Sequence, residues 1–301
     1  MTEVPEYSSI KSVGNKYVRE LFDCAVIVEE KIDGSQFGFK KVDGVMYFRS
    51  KGKQINVDDP GMFSNGVKAI LAIQDKIPEG LTFRGEYLQR PKHNVIKYDR
   101  VPKHHVMIFD IMAVQEDYMV YEDKLRLCIE IGLEFVPLLF SGFSTTPDKF
   151  KEYIGTTSVL GGHNIEGVVI KPMDNNIFGK DGKLLLGKLV DEKFKEKHNK
   201  EWKEKDGNKH PKDILYALTS DLKTDARFQK ALQHLRDNGD LVNAPEDIPK
   251  LLREVGRDIK SEEEDWIKEK LFKWAWPQLN RMIIKGLPEW YKDKLMEEIK
   301  Q

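Results

Sequence analysis

The sequence predicts an α+β fold over residues 1–190, followed by an all-helical segment over residues 210–301. Short β-branched or aromatic runs alternate with stretches of helical spacing in the first part. The composition then changes after Val190, and the rest carries helical signals only. The strand candidates are 25–30, 35–41, 45–50, 81–88, 106–112, 165–171 and 184–190, each bounded by Gly, Pro or Asp. Val67, Ile70 and Leu71 mark one helix; Leu125, Cys128 and Ile129 mark another. A third is expected to open at Thr146-Pro147-Asp148, with threonine as cap and proline at the first helical position. Residues 191–209 read as a charged linker: Lys and Glu dominate, and Asp206-Gly207-Asn208 and Pro211 break the chain. Five helices are then expected, at about 211–221, 224–237, 246–260, 262–284 and 288–299, punctuated by Pro245, Pro249 and Gly286-Leu287-Pro288. Trp266, Trp274 and Trp276 are expected to fill a small helical core, with stacking on nucleic-acid bases as the alternative.

Composition narrows the function classes. A hydrophobic fraction of 40% supports a real core, while 33% charged residues imply a well-solvated surface. The net charge of −1 gives no global signature of nucleic-acid binding, so any such binding must use a local patch. The most basic stretch outside the linker holds Arg90, Lys92, His93, Lys97, Arg100, Lys103, His104 and His105, with Asp99 as its one acid. It reads equally as a phosphate-backbone grip or a solvated loop. Cys24 and Cys128 both sit in apolar surroundings and suggest neither a disulfide nor a zinc framework, as expected of a reducing cytoplasm. No signal-peptide pattern opens the chain, and no apolar run nears the roughly 18 residues a membrane span needs. No membrane partner is expected.

The chemistry is concentrated in an ordered set of short motifs. Lys31-Ile32-Asp33-Gly34 comes first, then Phe83-Arg84-Gly85-Glu86, Phe109-Asp110, Glu166-Gly167-Val168-Val169-Ile170-Lys171 and finally Lys188. One Lys-x-Asp-Gly means little alone, and Lys41-Val42-Asp43-Gly44 repeats it ten residues on. Context separates the copies. Asp43-Gly44 lies between two β-prone runs and reads as a hairpin turn, which leaves Lys41 on a solvated strand end. Lys31 follows the buried-type run Ala25-Val26-Ile27-Val28. There, burial and nearby cations are expected to lower its pKa and free the amine for nucleophilic attack.

This ordered set resembles the covalent nucleotidyltransferases, which include ATP-dependent DNA ligases, RNA ligases and mRNA capping enzymes. Within them the chain most resembles the bacteriophage-type RNA ligase 2 family. The finer distinction rests on Glu30-Lys31-Ile32-Asp33-Gly34-Ser35-Gln36-Phe37, because DNA ligases and capping enzymes usually carry arginine where Gln36 stands. The motifs cover roughly residues 1–200. The resemblance implies an ATP-grasp-like nucleotidyltransferase domain of antiparallel sheets with helices. It also implies an ATP-dependent RNA ligase, working through lysyl-AMP and RNA-adenylate to join 3′-OH and 5′-phosphate ends. Mg²⁺ or Mn²⁺ is the implied metal, and RNA, including ends in RNA/DNA hybrids, the implied partner of a monomer. An ATP-dependent DNA ligase and a non-catalytic nucleic-acid end-binding protein are the alternatives. Gln36 and the helical tail argue against the first; intact Lys31, Glu86 and Glu166 argue against the second.

Site roles follow from the same resemblance. Lys31 carries AMP; Asp33 orients Lys31 or a metal-bound water; Glu166 binds metal; Glu86 contacts the ribose. Phe109 stacks on adenine, and Glu30 flanks the adenine pocket, partly through its backbone. Arg49 lies near the phosphate and ribose, and Lys171 and Lys188 form the cationic end. The last motif is usually Lys-x-Lys, yet Val190 replaces its second lysine, and Lys193 would need another backbone path to substitute. Lys31 lies so near the start that no nicotinamide-recognition module is expected, which favours ATP over NAD. Residues 1–205 are expected to suffice for lysyl-AMP formation, with the helical segment holding the RNA end.

Overall fold

The computed structural model describes residues 3–113, 117–144, 146–174, 176–191 and 211–299. Two sheets build the first part. In one, β1 (Lys11–Ser12), β11 (Gly187–Val190), β10 (Gly167–Pro172), β2 (Val26–Lys31) and β9 (Leu138–Gly142) lie side by side in that order. The other has the order β5 (Gln54–Ile55), β4 (Val45–Ser50), β3 (Ser35–Val42), β6 (Thr82–Tyr87), β7 (Val106–Met112) and β8 (Glu134–Phe135). Pairing is antiparallel except at β1–β11 and β7–β8. The two-residue strands β1, β5 and β8 escaped the sequence reading because they carry no alternation; the five-residue β9 escaped it as well.

Residues Ile32–Gly34 carry the chain from β2 in one sheet to β3 in the other. A Cβ on Gly34 would stand 2.8 Å from the carbonyl oxygen of Tyr87, so only glycine lets the backbones pass this closely. The lysine motif thus occupies the junction of the sheets. Alternation along β2 sends Val26 and Val28 into a core with Phe150, Val168 and Ile170. A second core lies on the six-stranded sheet, where Phe37, Phe39, Phe48 and Phe83 pack with Phe63, Val67 and Ile70 around α1 (Ser64–Leu71). The expected β3–β4 hairpin is present: Asp43 and Gly44 have φ of 51° and 75°, and Val42 pairs with Val45. In α2 (Tyr121–Ile131), Cys128 is buried but Ile129 is exposed. Thr146 caps the turn at Pro147, accepting from the Asp148 amide at 3.2 Å, ahead of the single turn α3 (Lys151–Ile154).

The proposed linker lies outside the described residues apart from Asp191. Beyond it come α4 (Pro211–Leu222), α5 (Asp225–Asp237), α6 (Ile248–Ile283) and α7 (Leu287–Ile299). The two helices expected at 246–260 and 262–284 are one, a correction to the sequence reading. Ser261 resembles a cap, but pairs one turn apart, such as Glu264–Lys268 at 2.6 Å, carry the helix through. The tryptophan expectation is corrected at Trp276, which is 47% exposed, while Trp266 and Trp274 are half-buried. Ile214, Leu218, Leu222, Ala231 and Leu235 form the buried apolar set instead. Beside them the fully buried Arg227 joins α5 to Asp258 and Glu263 of α6. No helix among the described residues is long and apolar enough to cross a membrane.

Candidate active site

A cavity of about 580 Å³ opens at the junction of the sheets and runs to the helical segment. Lys31 ends β2, opposite Gly167 of β10. That register sets Glu166 beside it, and the Lys31 Nζ–Glu166 Oε2 distance is 2.6 Å. The expectation of a lowered Lys31 pKa is corrected. Burial does push the ammonium down, but Glu166, with Glu86 and Asp33 behind it, outweighs burial and raises it. Lys31 is therefore protonated as long as Glu166 faces it unengaged.

Glu86, on β6, lines the same cavity, and its Oε2 is buried without a hydrogen-bond partner. Burial pushes its carboxyl up to about 8; Lys31 opposes this and Glu166 adds to it. Among the described residues, no group of three or more His, Cys, Asp or Glu is arranged to hold a metal ion. A pair of carboxylates still suits a hard divalent cation that keeps water and phosphate oxygens as its other ligands. The orphaned Glu86 oxygen fits such a charge.

A consequence is measurable. The Glu86 carboxyl rises from 4.5 to about 8 on folding, so its ionised form costs stability. That cost is absent below pH 4.5, grows as pH rises, and is complete above about 8. In chelator, Glu86→Gln is expected to melt several degrees above the parent, with the gain growing across this window. A pH-independent difference in melting temperature would count against the assignment.

Asp33 holds a loop. It accepts from the backbone amides of Val95 and Ile96 at 2.9 and 2.7 Å and from Asn94 Nδ2 at 3.2 Å, while its own amide donates to the Tyr98 hydroxyl at 2.8 Å. These bonds make it a positioning residue for the turn that carries Lys31. Glu30 lines the cavity, and its carboxylate accepts from Ser158 Oγ and the Val159 amide. The basic stretch 90–105 is largely occupied too: His93 meets Ser35 Oγ, and Arg100 makes a two-point contact with Glu134 at 2.8 Å.

Phe109 lines the cavity, with the Tyr7 ring edge-on at 5.2 Å, and offers an aromatic face for stacking. Lys171 lines the same cavity. Its buried ammonium sits 2.7 Å from Glu29 and 3.1 Å from Asp110, and donates to the Phe109 carbonyl. Lys124 reaches Asp110 from the other side at 2.7 Å. The charge of Lys171 is balanced by Glu29 and Asp110, and its bond to the Phe109 carbonyl also supports the wall under that ring. Arg49 pairs with Glu6 at 2.6 Å and is not among the residues lining the cavity, whereas Lys51 is. Lys188 and Val190 both line it.

Sequence reading missed the contribution of α5. Gln233 donates to Ser35 Oγ at 2.9 Å, and the same hydroxyl donates to Asp237 at 2.9 Å. Lys51 meets His234 at 3.0 Å. The polar stripe Lys230, Gln233, His234 and Asp237 was visible in the helix pattern, but nothing local said what it faces.

A lysine at the end of a central strand, a carboxylate against its amine and a flanking aromatic, set between two antiparallel sheets, define the class of nucleotidyltransferase-type ligases. The RNA ligase family model matches residues 25–190, more than half of the chain, and the protein belongs to the RNA ligase family. Among solved structures, it matches a lysine-to-alanine variant of Naegleria gruberi RNA ligase with ATP and Mn at TM-score 0.51 and 14% identity, covering 63% of this chain and 58% of that one. An apo aspartate-to-alanine variant of the same enzyme matches at TM-score 0.50 and 14% identity, covering 63% and 57%. The chain thus spans under three fifths of the solved relatives it matches. The comparison with curated proteins finds no match.

Proposed function

We propose that this protein is an ATP-dependent RNA ligase that joins 3′-OH and 5′-phosphate ends through lysyl-AMP and RNA-adenylate. The observation that carries the reading is the Lys31 ammonium, 2.6 Å from Glu166, in the cavity that Phe109 and Lys188 also line. Family membership and the ATP and Mn present with the Naegleria enzyme support it. Lys31 first gives a proton to solvent. Its amine then attacks the α-phosphorus of ATP: an N–P bond forms, the bond to the β-phosphate oxygen breaks, and pyrophosphate leaves with the electron pair. AMP next passes to the RNA 5′-phosphate, and the 3′-hydroxyl displaces AMP to seal the strand. Positioning and charge neutralisation carry each displacement. Glu166 and Glu86 would hold a divalent cation, which would supply that neutralisation and would offset the counter-charge that keeps Lys31 protonated.

The test is a sealing panel. The full-length protein is given ATP and Mg²⁺ or Mn²⁺ with matched RNA/RNA, RNA/DNA and DNA/DNA nicks. RNA-containing nicks are expected to seal, with AMP-capped RNA visible when the 3′-hydroxyl is removed. Preference for the all-DNA nick would establish the DNA ligase reading instead. Absence of enzyme-bound AMP and of any sealing would leave an end-binding protein.

A further inference from the structure

Lys51 has a setting that the motifs do not explain. Its ammonium donates to His234 Nε2 at 3.0 Å across the boundary between the sheets and α5. The other ring nitrogen of His234 faces Glu254 Oε1 at 2.8 Å. A ring that accepts from an ammonium carries its proton on Nδ1, where it donates to the carboxylate. Glu254 is held in turn by Arg257 at 2.7 Å. The ring is thereby kept neutral, and burial and Lys51 both push its pKa down. Lys51 spends one donor on His234 and keeps two for the cavity it lines. No carboxylate pairs directly with it among the described residues; Glu262 and Asp258 act from farther away.

Other cations are ordered around it. Lys188 lines the same cavity as Lys31 and Lys51 and acts electrostatically on both Glu166 and Lys51. Lys230 acts on Lys51 from the α5 side and is fixed there by Asp258 and Glu262, each at 2.8 Å. Lys31, Lys51, Lys188 and Lys230 thus all line one cavity. Lys31 and Lys230 are each held by carboxylates, whereas the Lys51 ammonium donates to a neutral imidazole, so Lys51 is the cation best placed to take a phosphate oxygen. Val190, where the resemblance expects a second lysine, lines this cavity and supplies no charge.

We propose that Lys51, oriented by the Glu254–His234 pair in the cavity that Lys31 also lines, binds the two outer phosphates of the nucleoside triphosphate, so that α5 completes the site for the pyrophosphate leaving group. This rests on the ligase reading for its reaction, though not for its ligand. Lys51 neutralises the charge that collects on the departing oxygen as the bond from the α-phosphorus breaks. His234 is a positioning residue that acts through Lys51. The helical segment then takes part in the first step, in contrast to the expectation that residues 1–205 suffice.

The test uses the full chain with inorganic pyrophosphate, ATP and AMP as titrants in a calorimeter. Losing a charge-assisted contact to phosphate, Lys51→Ala is expected to weaken pyrophosphate and ATP binding by about tenfold or more, while AMP binding stays within about twofold. Lys51→Arg should recover most of the loss. His234→Ala should lower the ATP-to-AMP affinity ratio in the same direction, which a merely structural role would not do. Unchanged pyrophosphate binding in Lys51→Ala, or equal weakening of ATP and AMP, overturns the proposal. Lys51-dependent pyrophosphate binding by a parent protein that never labels itself with AMP would instead sink the ligase reading and leave this site standing.

Discussion

Lys31→Ala is expected to abolish transfer of label from α-labelled ATP to the protein, whereas Lys41→Ala should label at nearly the parental rate. Both lysines precede an x-Asp-Gly, so the pair forms an internal control. Lys31 lies in the cavity against Glu166, while Lys41 donates to the Gln74 carbonyl at 3.1 Å on the outside of the six-stranded sheet. Without an amine at position 31 there is no bond to form, so the loss should exceed about a thousandfold, well beyond that from removing one stabilising contact. Lys31→Arg should fail as well, because a guanidinium stays protonated and cannot attack. Labelling of the Lys31→Ala variant at a comparable rate would move the nucleophile elsewhere.

The largest stability loss is expected at Lys124. Its side chain is 0% exposed and touches Asp110 at 2.7 Å. Burial opposes ionisation of Asp110, yet Lys124 and Lys171 hold its carboxyl down at about 2. Removing one partner strands a buried charge, a change that typically costs about 3–5 kcal/mol. Lys124→Ala should therefore lose about that much in a denaturant titration, and the double variant with Asp110→Asn should recover part of it. The sign with pH follows from the depressed carboxyl. The Asp110 contribution is fully present above 3.8 and is lost as pH falls towards about 2. A loss under about 1 kcal/mol for Lys124→Ala would mean that the cluster relaxes or hydrates freely.

Much of the first part was legible because its signals are local. The β3–β4 hairpin needed only Asp43-Gly44 between two alternating runs, and β2 needed only its apolar residues before the lysine. Lys31, Glu86, Phe109, Glu166 and Lys188 were chosen for the order of their motifs, and the fold brings all of them to one cavity. What was hidden depends on distance along the chain. Glu29, Asp110, Lys124 and Lys171 meet only after both sheets have formed, so Lys171 looked like a free cation. Arg49 and Lys51 lie two residues apart, and only the placement of Glu6 and His234 shows which one enters the cavity. The docking of α5 onto Ser35 spans some two hundred residues and has no local signature.

The buried cluster behind Phe109 also bears on how this sequence can drift. Its cations, Lys124 and Lys171, match its anions, Glu29 and Asp110, one for one. A lone substitution at any of the four breaks that parity in a place water does not reach, and selection meets the full penalty at once. A neutral route therefore passes through paired replacements, charge for charge, or removal of a cation with its anion. The four positions are expected to be inherited as a unit, so that in any related chain the residue at one predicts the residue opposite. Libraries that randomise Lys124 and Asp110 together should recover folded clones with matched polar or apolar pairs far more often than with mismatched ones. The same parity would make this wall slow to change while the end of the cavity lined by α5 diverges.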